Sequence, residues 1–230
     1  MKKVSCIIAA YNESERIGGV LDAIENHPLI EEVIVIDDGS KDNTSEIVSK
    51  RKGVKLITLT KNRGKSFAVV TGIRESKHDH LFMLDADLVG LSADDVTRLI
   101  QPILNGEADI SISLRKNSLS IMRMIGLDYI SGERVFRKDM LIEHLDAISE
   151  LPSFAIESFF NRIIIKNSYA IKVVDWKNTI TPRKSAKVGF VRGMCGDVLM
   201  IRDILKLVSV HEVVQQNYKM HRLKVKHKRV

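Results

Sequence analysis

"HLFMLDADLVG", residues 80 to 90, is the stretch from which the rest of the chain can be read. Four apolar residues, Leu81 to Leu84, run unbroken and stop at two carboxylates one residue apart, Asp85 and Asp87. A short continuous apolar run bounded by polar residues fits a strand covered on both faces, as in a parallel sheet. In an extended segment, residues i and i+2 share a face, which would place the Asp85 and Asp87 Cα atoms about 6–7 Å apart on one side. Two like charges at the mouth of an apolar strand cost free energy unless something positive faces them. Mg²⁺ or Mn²⁺ meets that need, because hard cations take carboxylate oxygens and fill their shell with waters and phosphates. Two protein ligands leave the other oxygens to a substrate, which points to a diphosphate. An acidic turn or a helix cap would account for an isolated Asp-x-Asp equally well, so its position in the fold decides.

The neighbouring segments repeat the same alternation. "VSCIIAA" (4–10), "EEVIVID" (31–37), "VKLITLT" (54–60) and "ADISISL" (108–114) read as further strands. Between them, Ile17, Val20, Leu21 and Ile24 fall at helical spacing. Helices also open at "KDNTSEIVSKRK", at "GKSFAVVTGIRES" and at "SADDVTRLIQPIL", the last with a Ser92 cap and acidic first-turn residues. Five strands alternating with four helices define an α/β fold with a mostly parallel central sheet covered by helices. Ligands of such sheets sit beyond the C-terminal strand ends. The distinctive polar residues fall there: Tyr11, Asn12 and Glu13; Asp37 and Asp38; Asn62 to Lys65; Asp85 and Asp87.

Composition narrows the class. A chain of 230 residues with 44% apolar and 28% charged residues can bury a substantial core. Two cysteines, Cys6 and Cys195, argue against a disulfide scaffold and for a reducing, cytoplasmic setting. Residues 163–230 carry 15 Lys and Arg against 4 Asp and Glu, whereas residues 1–162 carry 21 against 25. A basic rear half calls for an anion: a phosphorylated substrate, an acidic lipid surface with peripheral contact at the inner face of a membrane, or nucleic acid. Aromatic content of 5% leaves few stacking platforms and counts against nucleic acid. Three parts are expected: 1–114 binding a nucleotide, 115–185 completing the same domain on the acceptor side, and 186–230 as a basic helical extension. The helical pattern at 187–208 carries Arg192, Asp197, Arg202 and Asp203, charges that count against a membrane span and leave an amphipathic interfacial helix open. A homodimer is compatible with the sequence and is not required by it.

"SCIIAAYNESERI", "VIVIDDGSKDNT", "KNRGKSFAVVTGI" and "MLDADL", in that order and spacing, resemble the family-2 glycosyltransferases, which have the GT-A fold. The resemblance covers residues 1 to 90. It implies that the segment around Ala9, Tyr11, Asn12 and Glu13, with Asp37, Asp38 and Gly39, holds the nucleotide of a UDP- or GDP-sugar. Asn62, Gly64 and Lys65 would line the same pocket beside Asp85 and Ala86, with the metal on Asp85 and Asp87. Later stretches, "SGERVFRKDML", "FAIESFF" and "KVVDWKNTITPRKSAK", are similar to polyprenyl-phosphate sugar transferases, and "SGER" also resembles transferases acting on soluble phosphorylated acceptors. Position 9 is Ala where proline is common, and "TPRKSAK" lacks a usual glycine.

The reaction implied is sugar transfer from a nucleoside diphosphate to an acceptor, with Asp87 and its metal meeting the charge on the departing diphosphate. A hydroxyl acceptor needs a base, for which Glu133 and Glu157 are candidates with Asp128 behind them. A phosphate acceptor is already anionic and needs cations instead: Arg134, Arg137, Arg183 and Lys184. A nucleotidyltransferase or a non-catalytic nucleotide-sugar or nucleic-acid binding module are the alternatives. "AAYNESER" has no glycine for the loop the former uses.

Overall fold

The computed structural model describes residues 3–152, 155–182 and 210–225. Its strands are β1 (Val4–Ala10), β2 (Ile30–Asp37), β3 (Val54–Thr58), β4 (His80–Asp85), β5 (Ile110–Arg115), β6 (Arg134–Arg137) and β7 (Ile171–Trp176). The helices are α1 (Ile17–Ile24), α2 (Thr44–Ser49), α3 (Lys65–Glu75), α4 (Ala93–Leu104), α5 (Ser120–Ile125), α6 (Asp139–Ile142), α7 (Leu145–Ser149), α8 (Ala155–Asn167) and α9 (Val210–Arg222). The strands form one sheet in the order β3-β2-β1-β4-β6-β5-β7. All neighbours are parallel except β6, which runs antiparallel to both β4 and β5. The C-terminal ends of six strands therefore share one edge, and only β6 points away from it.

Alternation along the strands divides the core into two layers. Ile7, Ile34, Ile36, Leu81 and Met83 face α3, α7 and α8. Cys6, Ile8, Val35, Phe82 and Leu84 face α1 and α4. The α1 residues at helical spacing, Ile17, Val20, Leu21 and Ile24, are all buried on that second side. Helix α4 starts where Ser92 Oγ accepts the Asp95 N–H at 3.2 Å. Helix α3 lies so close to the sheet that a Cβ on Gly72 would come within 2.4 Å of Ile7 and 2.6 Å of Ile36. On α8, Phe160 meets Phe136 of β6 edge-on at 4.6 Å, so Phe160→Ala would cost about 3–5 kcal/mol.

Helix α9 packs on α8 through the buried Met220 and Gln216, and Lys224 bridges to Ile171 at the free edge of β7. The long helical pattern expected over 187–208 lies outside the described residues.

Candidate active site

Sheet hydrogen bonding ends at Asp85, which pairs with Ala9 of β1. Ala86 and Asp87 then form a turn. The same-side spacing expected of an extended Asp-x-Asp therefore does not apply: Asp85 belongs to the strand, Ala86 packs into the α1–α4 layer, and Asp87 stands half-buried in the turn. Asp85 accepts from Lys65 Nζ at 2.8 Å and lies 4.0 Å from Arg115. Lys65 is the first residue of α3, after Gly64 at φ +92°, a conformation that favours glycine. The same ammonium reaches Glu157, in the first turn of α8, at 2.8 Å. Burial alone would push Asp85 up, but Lys65 and Arg115 outweigh it and hold it below the usual carboxylate range. Burial likewise opposes the charge on Lys65, and Asp85 and Glu157 together keep it firmly protonated.

The stretch Ser131–Gly132–Glu133–Arg134 enters β6 against this tip, and each residue has a definite task. Gly132 abuts Asp85, leaving no room for a side chain: a Cβ there would sit 2.5 and 2.7 Å from the two carboxylate oxygens. Ser131 Oγ donates to Glu133 Oε2 at 2.6 Å, as does Ser113 Oγ of β5. Arg115, the last residue of β5, donates to Glu133 Oε1 at 3.3 Å, to Asp128 Oδ2 at 3.2 Å and to Thr181 Oγ1 at 2.7 Å. Burial pushes Glu133 up against the pull of Arg115, and nearby Asp85 adds to the push.

Two expected acceptor residues are placed elsewhere. Arg134 is fully buried and spends its guanidinium on Ser131 O, Tyr129 O and Asn161 Oδ1, so it is an internal strut. Burial pulls it down to about 10, still cationic at neutral pH. Arg137 pairs across the sheet with His80, at the start of β4, because β6 runs backwards. It is therefore exposed at the opposite edge from Asp85, bonded to Asp139. Glu133 is fully buried with both oxygens engaged, which is not the setting of an acceptor base. Glu157 is also buried and is ion-paired with Lys65. Arg183 and Lys184 lie outside the described residues.

The β1 and β2 loops close over each other. Asn12, at φ +54°, accepts the Lys41 N–H at 2.8 Å and donates its own N–H to Ser40 Oγ at 2.9 Å; the Glu13 N–H donates to Thr44 Oγ1 at 2.9 Å. Asp37 takes the Ser40 N–H at 2.9 Å and the Ser45 hydroxyl. Asp38 takes the Arg63 and Gly64 N–H groups at 2.7 and 2.8 Å. Both carboxylates are buried, so here they shape the loops that carry Tyr11, Asn62 and Lys65. Gly39, at φ +72°, lets the β2 loop pass Lys61, whose carbonyl carbon a Cβ would meet at 2.7 Å. Tyr11 is exposed, Ala9 is partly covered at the β1 end, and Asn62 is exposed beside Arg63, whose guanidinium covers the Phe67 ring at 3.4 Å.

No role for Arg115 or Gly132 was legible from sequence, and neither were the contacts of 177–182 within the quoted "KVVDWKNTITPRKSAK". Ile180 pairs with Val89, just past Asp87, through bonds of 2.9 and 3.0 Å. Thr179 Oγ1 donates to the buried Asp95 at 3.2 Å, and Trp176 Nε1 donates to Asp95 O at 3.0 Å. The post-β7 segment therefore lies along the crevice.

Among the described residues, no three His, Cys, Asp or Glu side chains form a metal cage. The donor set nonetheless fits a hard cation that brings other ligands with it. Asp85, Asp87, Asp128, Glu133 and Glu157 supply five formal negative charges; Lys65, Arg115 and Arg134 supply three positive ones. Asp87 stands partly exposed in the turn after β4, and Asp85 is ion-paired with Lys65.

A mostly parallel, doubly covered sheet with an acidic central strand end defines a GT-A-type architecture. Residues 5–169 match the model for "Glycosyl transferase family 2", and the chain belongs to that family. It is 38% identical over 118 residues to a dolichol-phosphate mannosyltransferase of Pyrococcus furiosus, covering 49% of this chain and 33% of that protein. A human dolichyl-phosphate beta-glucosyltransferase is 37% identical over 101 residues, covering 37% of this chain and 31% of that protein. The chain thus spans about a third of the length of these curated relatives. The solved structure of glucosyl-3-phosphoglycerate synthase from Mycobacterium tuberculosis, in complex with Mn²⁺, UDP-glucose and phosphoglyceric acid, superposes with a TM-score of 0.63 at 21% identity, covering 79% of this chain and 72% of that one. At that identity the likeness shows the fold. Among the described residues no helix is long and apolar enough to cross a membrane.

Proposed function

We propose that this chain transfers a sugar from a UDP- or GDP-sugar to a phosphate-bearing acceptor, with Mg²⁺ or Mn²⁺ held through Asp87 beside Asp85. The observation that carries the reading is the end of β4: a strand-tip carboxylate fixed by Lys65 at the start of α3, with Asp87 in the next turn, on an edge where six strands end. A bound divalent ion would supply positive charge to the diphosphate as the anomeric C–O bond breaks. The N-terminal turn of α3 adds N–H groups and a favourable dipole at the same edge. Lys65, held between Asp85 and Glu157, fixes the spacing of β4, α3 and α8 around the sugar.

The state of the carboxylates supports an acceptor that arrives already ionised. Glu133 is buried and Glu157 is ion-paired, so neither offers a ready base, and a phosphate oxygen needs none. The relatives named for dolichol phosphate support a polyprenyl phosphate as this acceptor, and the basic residues of 163–230 suit peripheral contact with an anionic membrane. The neighbour solved with phosphoglyceric acid supports a soluble phosphorylated acceptor as the second reading.

The test is nucleotide release from UDP- and GDP-sugars with Mn²⁺, in the presence of a short polyprenyl phosphate in detergent or of 3-phosphoglycerate. Metal-dependent release stimulated by one acceptor is expected. Metal-independent release, or none with any sugar nucleotide, would contradict the reading.

A further inference from the structure

Arg115 belongs to none of the motifs that mark the crevice, yet it touches both of its sides. On the β4 side it lies 4.0 Å from Asp85 and donates to Glu133 and Asp128. On the other side its NH1 group donates to Thr181 Oγ1 at 2.7 Å. The residues after it continue the attachment: the Lys116 N–H donates to Thr179 O at 3.0 Å, and the Asn117 amide exchanges two bonds with the Thr181 backbone, at 2.6 and 3.2 Å.

The segment 177–182 is fixed from the opposite direction too. It pairs with Val89, and Gly90 at φ +77° passes Asn178 so closely that a Cβ would lie 2.7 Å from its carbonyl oxygen. One chain segment thus spans from the loop beyond Asp87 to the end of β5. Arg115 bonds Thr181 of that span and also contacts the acidic cluster.

We propose that Arg115 is a positioning residue that locks the acidic tip of β4 to the segment 177–182, so that one guanidinium sets the donor and acceptor sides of the crevice together. This rests on the reading of the crevice given under "Proposed function". The chemistry demands arginine. A planar fork with several fixed donors can meet Glu133, Asp128 and Thr181 at once, whereas a lysine ammonium presents a point charge on a flexible stem. Among the described residues Arg115 is also the cation that ion-pairs with Asp128 and Glu133, both buried.

The test uses the full chain with Arg115→Lys, Thr181→Val and the double substitution. Amide hydrogen exchange reads the lock without any ligand. Arg115→Lys should speed exchange across 177–182 and 86–90 by roughly tenfold or more, leaving β1 and β2 unchanged. In transfer assays Thr181→Val should raise the acceptor KM roughly tenfold with nucleotide–Mn²⁺ affinity within about twofold, while Arg115→Lys shifts both. The double variant should be no worse than Arg115→Lys in acceptor KM, because both break the same link. Unchanged exchange in Arg115→Lys, or effects that simply multiply in the double variant, would overturn the proposal. If Arg115→Lys fails to fold, Thr181→Val, which removes one hydroxyl, must still speed exchange across 177–182. A wild-type chain that turns over no sugar nucleotide would sink the functional reading, and the exchange result would still decide the lock.

Discussion

A single methyl group at Gly132 should separate activity from folding. In Gly132→Ala the new Cβ would start 2.5 Å from Asp85 Oδ1, inside the 3.0 Å that real Cβ contacts respect, so one partner must yield by at least 0.5 Å. Gly132 sits on buried backbone between β5 and β4, so much of the displacement falls on the Asp85 carboxylate and its 2.8 Å bond to Lys65. A misplacement on the order of 1 Å at reacting groups costs about 10²-fold in rate, equivalent to about 2.7 kcal/mol of transition-state stabilisation. Overpacking costs about 1–3 kcal/mol in stability, and at about 2–4 °C per kcal/mol for a chain of this size Tm should drop by roughly 2–12 °C. The assay is metal-dependent nucleotide release on the purified variant at a temperature where it is folded, beside a melting curve. Gly53→Ala, at a position with nothing within 4 Å of its Cβ, is the control and should match wild type. Gly132→Ala with wild-type turnover would refute the role given to the Asp85 position.

Four other outcomes follow from the same contacts. Asp87→Ala should lower metal-dependent nucleotide release by orders of magnitude; near-normal turnover would remove it from the metal site. Lys65→Met leaves the buried Glu157 and the ion-paired Asp85 without their shared cation and should destabilise the fold by about 3–5 kcal/mol in urea titration, with an unchanged midpoint as the contrary result. Arg137→Ala should leave the acceptor KM unchanged, since its side chain lies at the far edge of the sheet, and a tenfold rise would restore it to the acceptor site. Burial would raise Asp42, but the Thr44 hydroxyl and the Ser14 and Thr44 N–H groups outweigh it and hold it at about 2. A depressed folded-state value stabilises above the unfolded value of about 3.9 and loses that contribution as pH falls toward 2. The stability advantage of wild type over Asp42→Asn should therefore be present at pH 5, mostly lost at pH 2 and gone below it, and a gap independent of pH would refute it.

The front half of the fold was legible because its strands are apolar on both faces and end in polar clusters. Each of β1 to β4 announces its own C-terminus, and a parallel sheet puts those ends on one edge. The two-layer core follows from the same pattern, as the buried Ile17, Val20, Leu21 and Ile24 illustrate. The acceptor side was harder to read for a topological reason. Nothing local in "RVFR" reveals that β6 runs backwards between β4 and β5, and that reversal sends Arg137 to the wrong edge. Arg134 and Glu133 are neighbours in sequence but point to opposite faces, so one becomes a strut toward Asn161 and the other a member of the Asp85 cluster. A signal for Arg115 was present in "ISISLR": Ser111, Ser113 and Arg115 recur at period two on an otherwise apolar strand, and buried polar groups on one face need partners. Gly132 was quoted within "SGER", yet its reason is steric and lies with Asp85, 47 positions earlier.

If the end of β4 receives the diphosphate of a sugar nucleotide through a divalent ion, that ion should be visible there. Crystals soaked with Mn²⁺ and UDP or GDP, measured at the manganese edge, address it most directly. An anomalous peak at Asp87 with diphosphate oxygens beside it, at the edge where α3 begins, is the expected result. A nucleotide bound elsewhere, with no manganese peak at Asp87, would contradict it.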